Sequence, residues 1–383
     1  MKTVLCVIGT RPEAIKMAPV VRALGSSGRF RPVVCATGQH REMLDEALAM
    51  FSLSPDVDLD VMRPGQTLAG VSAAVLGGID GVLADADPDS VLVQGDTTTT
   101  MAAALAAFWR GIPVGHVEAG LRTGDLRAPF PEEANRRIAS IVTDLHFAPT
   151  PAARRNLLAE GVAADRVHVT GNTVIDALLW MAERVRDDRA LADEMTARIP
   201  ALARCGEGGR RLVLVTGHRR ESFGRGFENI CTALARIAER DDVEIVYPVH
   251  LNPNVRGPVH RRLGRHENIH LIEPVDYRRF VWLMTRAHLV LTDSGGVQEE
   301  APALGRPVLV MREVTERAEA VDAGVVRLVG TDPDRIVAEV SRLIDDPEHH
   351  ARMSRPTFCY GDGHAAERIV KLLEKMGGKE GWG

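Results

Sequence analysis

Short runs of Val, Ile and Leu alternate along the chain with longer stretches in which apolar residues recur every three or four positions. The first runs read "TVLCVIG", "PVVCATG" and "SVLVQGD", and they precede "EAIKMAPVVRALG", "REMLDEALAMF" and "TTTTMAAALAAFWRG". Uninterrupted apolar runs predict strands buried on both faces, and the stretches with helical spacing predict the helices that cover them. The pattern therefore indicates an α/β architecture built on parallel sheets.

The same alternation restarts after a polar segment at 203–211, with "RLVLVTG", "VEIVYPV", "HLVLTDSGG" and "PVLVMR". A chain of 383 residues also favours two domains rather than one. We therefore predict two doubly wound Rossmann-like domains that face a cleft. The first spans residues 1–172 and the second 173–363, and a C-terminal helix and tail at 364–383 pack back on the first domain.

The composition is that of an ordinary globular protein, with 45% hydrophobic and 26% charged residues. A net charge of -5 argues against broad nucleic-acid binding. The five cysteines are scattered without a C-x-x-C pair, which is typical of a reducing compartment and predicts a cytoplasmic protein. The opening apolar run is too short for a signal sequence, and no later stretch is expected to approach a membrane span.

Three carboxylates lie at positions where the first domain is expected to bind a ligand. Open parallel sheets bind ligands beyond the carboxyl ends of their strands. Asp96 ends "SVLVQGD", Glu118 ends "PVGHVE", and Glu132 opens the helix in "PFPEEANRR". Taken singly, Asp96 is explained as a helix N-cap and Glu132 as a first-turn acid favoured by the helix dipole. Taken together, the three favour acid/base chemistry.

Cations follow the first strand. In "GTRPEAIK", Arg11 and Lys16 are placed to face an anion near a helix N-terminus, although two solvated cations at a plain turn explain this stretch equally well.

The stretch "LTDSGGVQEEA" in the second domain indicates a phosphate site more strongly. A strand ends at Thr292, Ser294 and the pair Gly295-Gly296 follow, and a helix is predicted to begin near Val297. Glycines let backbone N–H groups approach a phosphate, and the helix dipole favours its charge. Glu300 is then placed to accept hydrogen bonds from a ribose diol. We favour a nucleotide-diphosphate site over a plain glycine turn.

Further cations follow other strands of the second domain. "VTGHRRESFGRG" places His218, Arg219 and Arg220 after one strand, and "VTERAEAV" places Arg317 in a loop after another. A domain with anion-binding groups and a domain with carboxylates together favour a nucleotide sugar as ligand. The first set of groups would bind its diphosphate, and the carboxylates would act as acids and bases on its sugar.

Several metal and cofactor motifs do not occur in the sequence. "HVE" lacks the P-C-x-x-C partner of zinc deaminases, no H-E-x-x-H or Walker A stretch occurs, and "GTRPEA" does not match G-x-G-x-x-G. We therefore predict no catalytic metal and no dinucleotide cofactor.

Ten blocks, in order, resemble the bacterial non-hydrolysing UDP-N-acetylglucosamine 2-epimerases. They read "GTRPEAIKMAP", "TGQHREML", "QGDTTTT", "GHVEAGLRTGD", "PFPEEANRR", "TGNTVIDAL", "TGHRRESFGRG", "YPVHLNPNV", "LTDSGGVQEEAP" and "VLVMREVTER". The similarity runs from Val4 to about Gly363. It implies a glycosyltransferase-B-like fold, a homodimer, and interconversion of UDP-GlcNAc and UDP-ManNAc without NAD or metal. The implied route eliminates UDP to leave a 2-acetamidoglucal and then adds UDP back, which supplies ManNAc for cell-surface polysaccharide.

The resemblance also implies roles for individual residues. Asp96, Glu118 and Glu132 match the catalytic acids, with Asp96 or Glu118 as the base at C2, and Lys16 supports them. His218 is counted among the catalytic residues and also holds the diphosphate, together with Arg11 and the turn Ser294, Gly295 and Gly296. Glu300 holds the ribose, Phe280 packs on the uracil and Arg317 approaches the nucleotide.

Three alternatives remain open. A hydrolysing epimerase would release free ManNAc and UDP. A glycosyltransferase of the same fold would need an acceptor pocket and fewer acids. A sugar-nucleotide sensor would need the phosphate-binding residues but would not need Asp96, Glu118 and Glu132.

Overall fold

The computed structural model describes residues 1–38, 41–63, 65–206, 208–219 and 222–375. The chain divides into two compact units. Unit 1 comprises Met1–Ala177 and Tyr360–Gly383, and unit 2 comprises Leu178–Cys359. The divisions therefore fall after Ala177 and before Tyr360, whereas the sequence places them after positions 172 and 363.

Unit 1 is built on a seven-stranded parallel sheet in the order β3-β2-β1-β4-β5-β6-β7. Its strands are β1 Lys2–Ile8, β2 Phe30–Ala36, β3 Val57–Asp58, β4 Ser90–Gln94, β5 Val114–Val117, β6 Leu145–Ala148 and β7 Val167–Val169. Its helices are α1 Arg11–Ser26, α2 Arg41–Met50, α3 Leu68–Ala86, α4 Thr98–Trp109, α5 Glu132–Ile141 and α6 Pro151–Ala159; a short 3-10 turn covers Ala164–Arg166, and α7 Thr173–Arg186 contains the division between the units.

Successive residues of β1 enter different cores because side chains alternate across a strand. Val4 and Cys6 belong to one buried cluster with residues of α1 and α2. Leu5 and Val7 belong to another with residues of α3 and α4. The sheet is therefore covered by helices on both faces, which explains the uninterrupted apolar runs in the sequence.

Unit 2 is built on a six-stranded parallel sheet in the order β10-β9-β8-β11-β12-β13. Its strands are β8 Arg211–Thr216, β9 Val243–Pro248, β10 Ile269–Ile272, β11 Leu289–Thr292, β12 Val308–Val310 and β13 Val326–Leu328. Its helices are α8 Arg189–Arg198, α9 Arg225–Ile237, α10 Pro253–Leu263, α11 Tyr277–Arg286, α12 Gly295–Ala303, α13 Ala318–Asp322, α14 Pro333–Asp345 and α15 Pro347–Met353, with a 3-10 turn at Pro200–Arg204. Two doubly wound sheets confirm the predicted fold class.

The last described helix, α16 Ala365–Lys375, packs on α1 of unit 1. Its residues Ile369, Val370 and Leu373 join the buried cluster that contains Met17 and Val21. The side chain of Asp176 accepts a hydrogen bond of 2.8 Å from the backbone N–H of Ala366. The tail at 376–383 lies outside the described residues.

One helix has the length and composition that were not expected of any stretch of the chain. Among the described residues, α3 is long and apolar enough to cross a membrane by length and composition, with a mean hydropathy of 1.5. Its Val71, Val75 and Ile79 side chains lie in the core of unit 1. A helix that covers one face of a sheet buries apolar side chains in the same way, and such a helix passes the same test of length and composition.

Candidate active site

The candidate carboxylates of unit 1 follow two neighbouring strands. Gln94 of β4 is in register with Val117 of β5, and the Gly95 N–H donates to the Val117 carbonyl at 3.0 Å. Asp96 and Glu118 therefore leave the sheet side by side at its carboxyl edge.

The backbone of Glu118 is held in a conformation that few residues other than glycine adopt. Its φ is +62°, in the left-handed region, which costs about 1–2 kcal/mol for a residue with a Cβ. Its carboxylate Oε2 lies 2.5 Å from Lys16 Nζ and accepts a hydrogen bond of 3.0 Å from Gln94 Nε2. The Glu118 side chain is 7% exposed, so this ion pair is screened little by solvent. The turn and its two partners fix the carboxylate in place.

Asp96 pairs with an arginine rather than capping a helix. The N-cap of α4 is Thr97, whose hydroxyl accepts from the Thr100 N–H, so the N-cap explanation of Asp96 is wrong. Asp96 Oδ2 instead forms an ion pair with Arg136 of α5. Glu132 lies one turn before Arg136 at the start of the same helix. Within the described residues its Oε2 is buried without a hydrogen-bond partner, which a plain first-turn acid facing solvent would not be.

Sequence reasoning missed Glu13, which lies beneath this edge. The carboxylate accepts hydrogen bonds from the Gly9 N–H at 3.2 Å, the Thr97 hydroxyl at 2.9 Å and the Thr100 hydroxyl at 3.3 Å. Burial raises the pKa of Glu13 to about 7, although these hydrogen bonds oppose the shift. In the sequence Glu13 resembles an ordinary first-turn acid, because its partners Thr97 and Thr100 are more than eighty residues away.

His116 supports the same edge from within the sheet. It is fully buried, and its Nε2 hydrogen-bonds the Gly95 carbonyl at 2.7 Å. Burial lowers the pKa of His116 to about 4, so the ring is neutral at pH 7. It therefore orders the turn before Asp96 rather than supplying charge.

In unit 2, α12 begins at Gly295, two residues earlier than predicted. Ser294 is its N-cap, and no side chain caps the first turn. The opening N–H groups of the helix are therefore left for an anion.

Arg317 lies directly over Gly295. A Cβ built on Gly295 would come within 3.2 Å of the Arg317 Cζ, so any other residue here would make the arginine shift by a few tenths of an ångström. The guanidinium is anchored by Glu299 Oε1 at 3.0 Å and Glu316 Oε1 at 2.6 Å. Sequence reasoning identified Arg317 but missed these two anchoring acids.

His218 and Arg219 follow β8 and are tied to the neighbouring strand. Their backbone N–H groups both donate to Oδ2 of the buried Asp293 at 2.8 Å. The His218 ring stacks on His250 with centroids 5.4 Å apart. Burial lowers the pKa of His218, and the charge of Asp293 opposes that shift. Asp293 thus positions the turn, while the predicted Arg220 lies outside the described residues.

The remaining candidates lie on α1, α11 and α12. Glu300 Oε1 accepts a hydrogen bond of 2.7 Å from the buried Tyr277 hydroxyl, and the half-buried Phe280 lies one turn after Tyr277 on α11. Arg11 is the first residue of α1 and forms no ion pair with any carboxylate of the described residues. The described ranges contain no cluster of three or more His, Cys, Asp or Glu side chains that could hold a metal.

Residues 22–374 match the family model described as UDP-N-acetylglucosamine 2-epimerase. The UDP-N-acetylglucosamine 2-epimerase of Escherichia coli strain K12 is 58% identical over 372 residues, which cover 97% of this chain and 98% of the relative. The chain belongs to the UDP-N-acetylglucosamine 2-epimerase family.

Solved structures agree with this membership. The UDP-GlcNAc 2-epimerase of Neisseria meningitidis, bound to UDP-GlcNAc, is 47% identical with a TM-score of 0.89, covering 97% of this chain and 100% of that one. The enzyme of Methanocaldococcus jannaschii, in complex with UDP-GlcNAc and UDP, is 32% identical with a TM-score of 0.81, covering 97% and 99%. The family resemblance drawn from the ten sequence blocks is thereby confirmed, as is the isomerase class.

In this 2-epimerase family member, each unit brings together its own part of the predicted site. Unit 1 joins Lys16 to Glu118 and Asp96 to Arg136 by ion pairs, and Glu132 lies one turn before Arg136 on α5. Unit 2 gathers the Ser294 turn, Arg317 and Glu300 on or against α12, and places His218 just after strand β8, which pairs with β11.

Proposed function

We propose that the protein interconverts UDP-GlcNAc and UDP-ManNAc by eliminating UDP and adding it back, without hydrolysing the sugar nucleotide. The observation that carries this proposal is the carboxylate edge of unit 1, where Glu118 is fixed by Lys16 and Gln94 beside Asp96. UDP-GlcNAc as substrate is supported by the ligands bound to the similar enzymes of N. meningitidis and M. jannaschii.

The reaction needs both a base and a stabilised leaving group. The C2 proton beside an acetamido group is not acidic until the bond from C1 to the diphosphate oxygen breaks. When UDP departs with that electron pair and a carboxylate takes the C2 proton, a double bond forms between C1 and C2. The resulting 2-acetamidoglucal is protonated on the other face of C2, and UDP adds back to C1 to give the manno epimer.

Unit 2 is proposed to hold the leaving UDP. The uncapped turn at Ser294, Gly295 and Gly296 receives the diphosphate, with Arg317 and His218 beside it. Glu300, oriented by Tyr277, accepts hydrogen bonds from the ribose, and Phe280 packs on the uracil. Arg11 supplies a further cation for the diphosphate.

Unit 1 is proposed to move the protons. Asp96 or Glu118 removes the C2 proton, and the other carboxylates, including Glu132, serve the opposite face. Glu132 Oε2 has no partner among the described residues, and so it is suited to accept a hydrogen bond from the sugar. Lys16 keeps the Glu118 carboxylate oriented through their ion pair.

The proposal is tested by incubating the protein with UDP-GlcNAc alone in D2O and following the sugar by NMR. We expect UDP-ManNAc with deuterium at C2, in equilibrium with UDP-GlcNAc. Epimerisation without deuterium at C2 would rule out proton removal to a solvent-exchanging base.

The same spectra separate the three alternatives. Accumulating free ManNAc and UDP indicates the hydrolysing relative. Unchanged UDP-GlcNAc indicates a glycosyltransferase or a sensor, and these differ because only the former releases UDP when an acceptor sugar is added.

We further propose that the protein is a cytoplasmic homodimer whose product supplies ManNAc for cell-surface polysaccharide. An apolar patch on α4 and α5 supports the dimer: Phe108, Trp109, Ile138 and Ile141 are 55%, 64%, 37% and 82% exposed. Contiguous exposed apolar side chains on packed helices are typical of an interface. In light scattering, Ile141→Lys should shift the mass from dimer to monomer, and a monomeric unsubstituted protein would contradict the proposal.

A further inference from the structure

A second cavity lies in unit 2, away from the carboxyl edge of its sheet. It measures about 710 Å³ and is bordered at the amino ends of three strands by Arg211, His288 and Arg306. Ser294 and His218 lie beyond the carboxyl ends of β11 and β8. Strand β8 from Arg211 to Thr216 spans roughly 17 Å at 3.3 Å per residue, so the two sites are separate.

The lining of this cavity is cationic. It contains Arg210, Arg211, Arg286 and Arg306, and none of its lining residues is acidic. Arg210 is paired with the buried Glu244 at 2.7 Å. The other three arginines have no carboxylate within ion-pair distance in the part of the chain that the structure describes. The charge of Arg211 helps to lower the pKa of Asp242. No carboxylate of the described residues influences the pKa of Arg286 or Arg306, and two such cations at one cavity stand out in a chain with a net charge of -5.

Two buried donors of the lining also lack acceptors among the described residues. These are the Nε of Arg306 and the indole Nε1 of Trp282, a residue that is 2% exposed. The guanidinium of Arg286 stacks on the Trp282 ring at 4.1 Å from its centroid. Burial lowers the pKa of both Arg286 and Arg306, although Arg306 is half-buried and Arg286 is an exposed residue. A buried donor without an acceptor is costly, and both of these donors belong to residues that border the cavity.

Helix termini explain only part of this arrangement. Arg286 is the last residue of α11, and Arg306 Nη2 donates to the Thr285 carbonyl at 2.5 Å, so both complement the negative end of that helix. That role does not involve Arg211, which begins strand β8, and it leaves the Arg306 Nε without an acceptor.

We propose that this cavity binds a small phosphate-bearing anion, at a site separate from the substrate site. Guanidinium groups match phosphate oxygens in pairs of hydrogen bonds, and the surplus donors require a ligand that is mainly an acceptor. The cavity volume falls in the range of sites for small organic ligands.

Calorimetric titration with inorganic pyrophosphate tests this site. Saturating UDP is included to occupy the substrate site, and the ionic strength is held constant. We expect one pyrophosphate per chain to bind in the presence of UDP, and Arg211→Gln with Arg286→Gln to weaken that binding at least about tenfold. Arg265→Gln, at an exposed turn of the same unit, is the matched control and should leave the pyrophosphate affinity unchanged.

Absence of pyrophosphate binding under saturating UDP would overturn the proposal, as would equal affinity in the double variant. Citrate that binds more tightly than pyrophosphate would overturn the assignment to phosphate. If the double variant does not fold, Arg211→Gln alone answers the question, because no side-chain partner of Arg211 is lost within the described residues. Unchanged UDP affinity in that variant separates this site from the substrate site.

Discussion

The carboxyl edges of the two sheets carry opposite chemistry on the same scaffold. In unit 1 the strand ends bear Asp96 and Glu118, and cations from helices hold each of them. In unit 2 the strand ends are followed by backbone N–H groups at the start of α12 and after β8. Here acids hold the other groups in place: Asp293 holds the turn after β8, and Glu299 holds Arg317.

Under the proposed function, this difference divides the reaction between the two units. Side-chain carboxylates can accept and return protons, whereas backbone N–H groups and arginines bind a leaving diphosphate without exchanging protons at neutral pH. We therefore propose that unit 1 carries out proton transfer at C2 and that unit 2 stabilises the leaving UDP. Substitutions at the two edges should then impair different kinetic parameters, kcat in unit 1 and KM in unit 2.

Removing the charge of Glu118 should have the largest effect. Glu118→Gln keeps the shape of the side chain but cannot accept the proton or balance Lys16, so we expect kcat to fall about 10³-fold. UDP affinity, measured by calorimetry, should stay within about threefold. A large loss of UDP affinity with kcat preserved would reverse the assignment of the two units.

Glu13 makes the stability of unit 1 depend on pH. Its folded pKa is raised from 4.5 to about 7, so the folded state binds more protons than the unfolded state between these values. The free energy of unfolding should therefore fall as pH rises from 4.5 to 7, by about 3 kcal/mol at most from this group.

Chemical denaturation of Glu13→Gln across this pH range checks that sign. The variant should lack the decrease contributed by Glu13, whatever its absolute stability, and Glu46→Gln at an exposed position of α2 is the control. Identical pH slopes in Glu13→Gln and the unsubstituted protein would contradict the raised pKa.

Buried histidines should make unit 1 lose stability in acid. Burial lowers the pKa of His146 to about 3 and that of its in-register neighbour His116 to about 4. The unfolded state then binds more protons below pH 6.5, and each group should cost about 2 kcal/mol by pH 5. His146→Gln should reduce this loss in a pH series of denaturation curves, whereas His364→Gln, at an exposed position, should not.

The smallest effect is expected from a substitution at the turn of unit 2 that is proposed to bind the diphosphate. Gly295→Ala places a methyl group 3.2 Å from the Arg317 Cζ, so the arginine must shift. We expect KM for UDP-GlcNAc to rise about tenfold with kcat little changed, since only binding is weakened. Gly77→Ala, in open space on α3, is the control. A fall in kcat without a rise in KM would place Gly295 in the chemistry.

The strands, and the positions of candidate side chains at their ends, were predictable because strand ends are marked in the sequence by local signals. The apolar run before Asp96 and the glycine pair after Thr292 are examples. Residues that act through distant partners carried no such signal. Glu13 meets Thr97 and Thr100, and Asp293 meets the N–H groups after β8, only once the sheets have formed. The start of α12 at Gly295 was missed because glycines read as a turn rather than as helix.

Positional isotope exchange tests most directly whether the bond from C1 to the diphosphate breaks. UDP-GlcNAc carrying oxygen-18 in the bridge between C1 and the β-phosphorus is incubated with the protein and recovered. If UDP departs and returns, the β-phosphate can rotate while bound, and the account predicts that the label spreads to non-bridging oxygens at a rate that Glu118→Gln suppresses. Epimerised sugar nucleotide that keeps all of its label in the bridge would contradict the elimination.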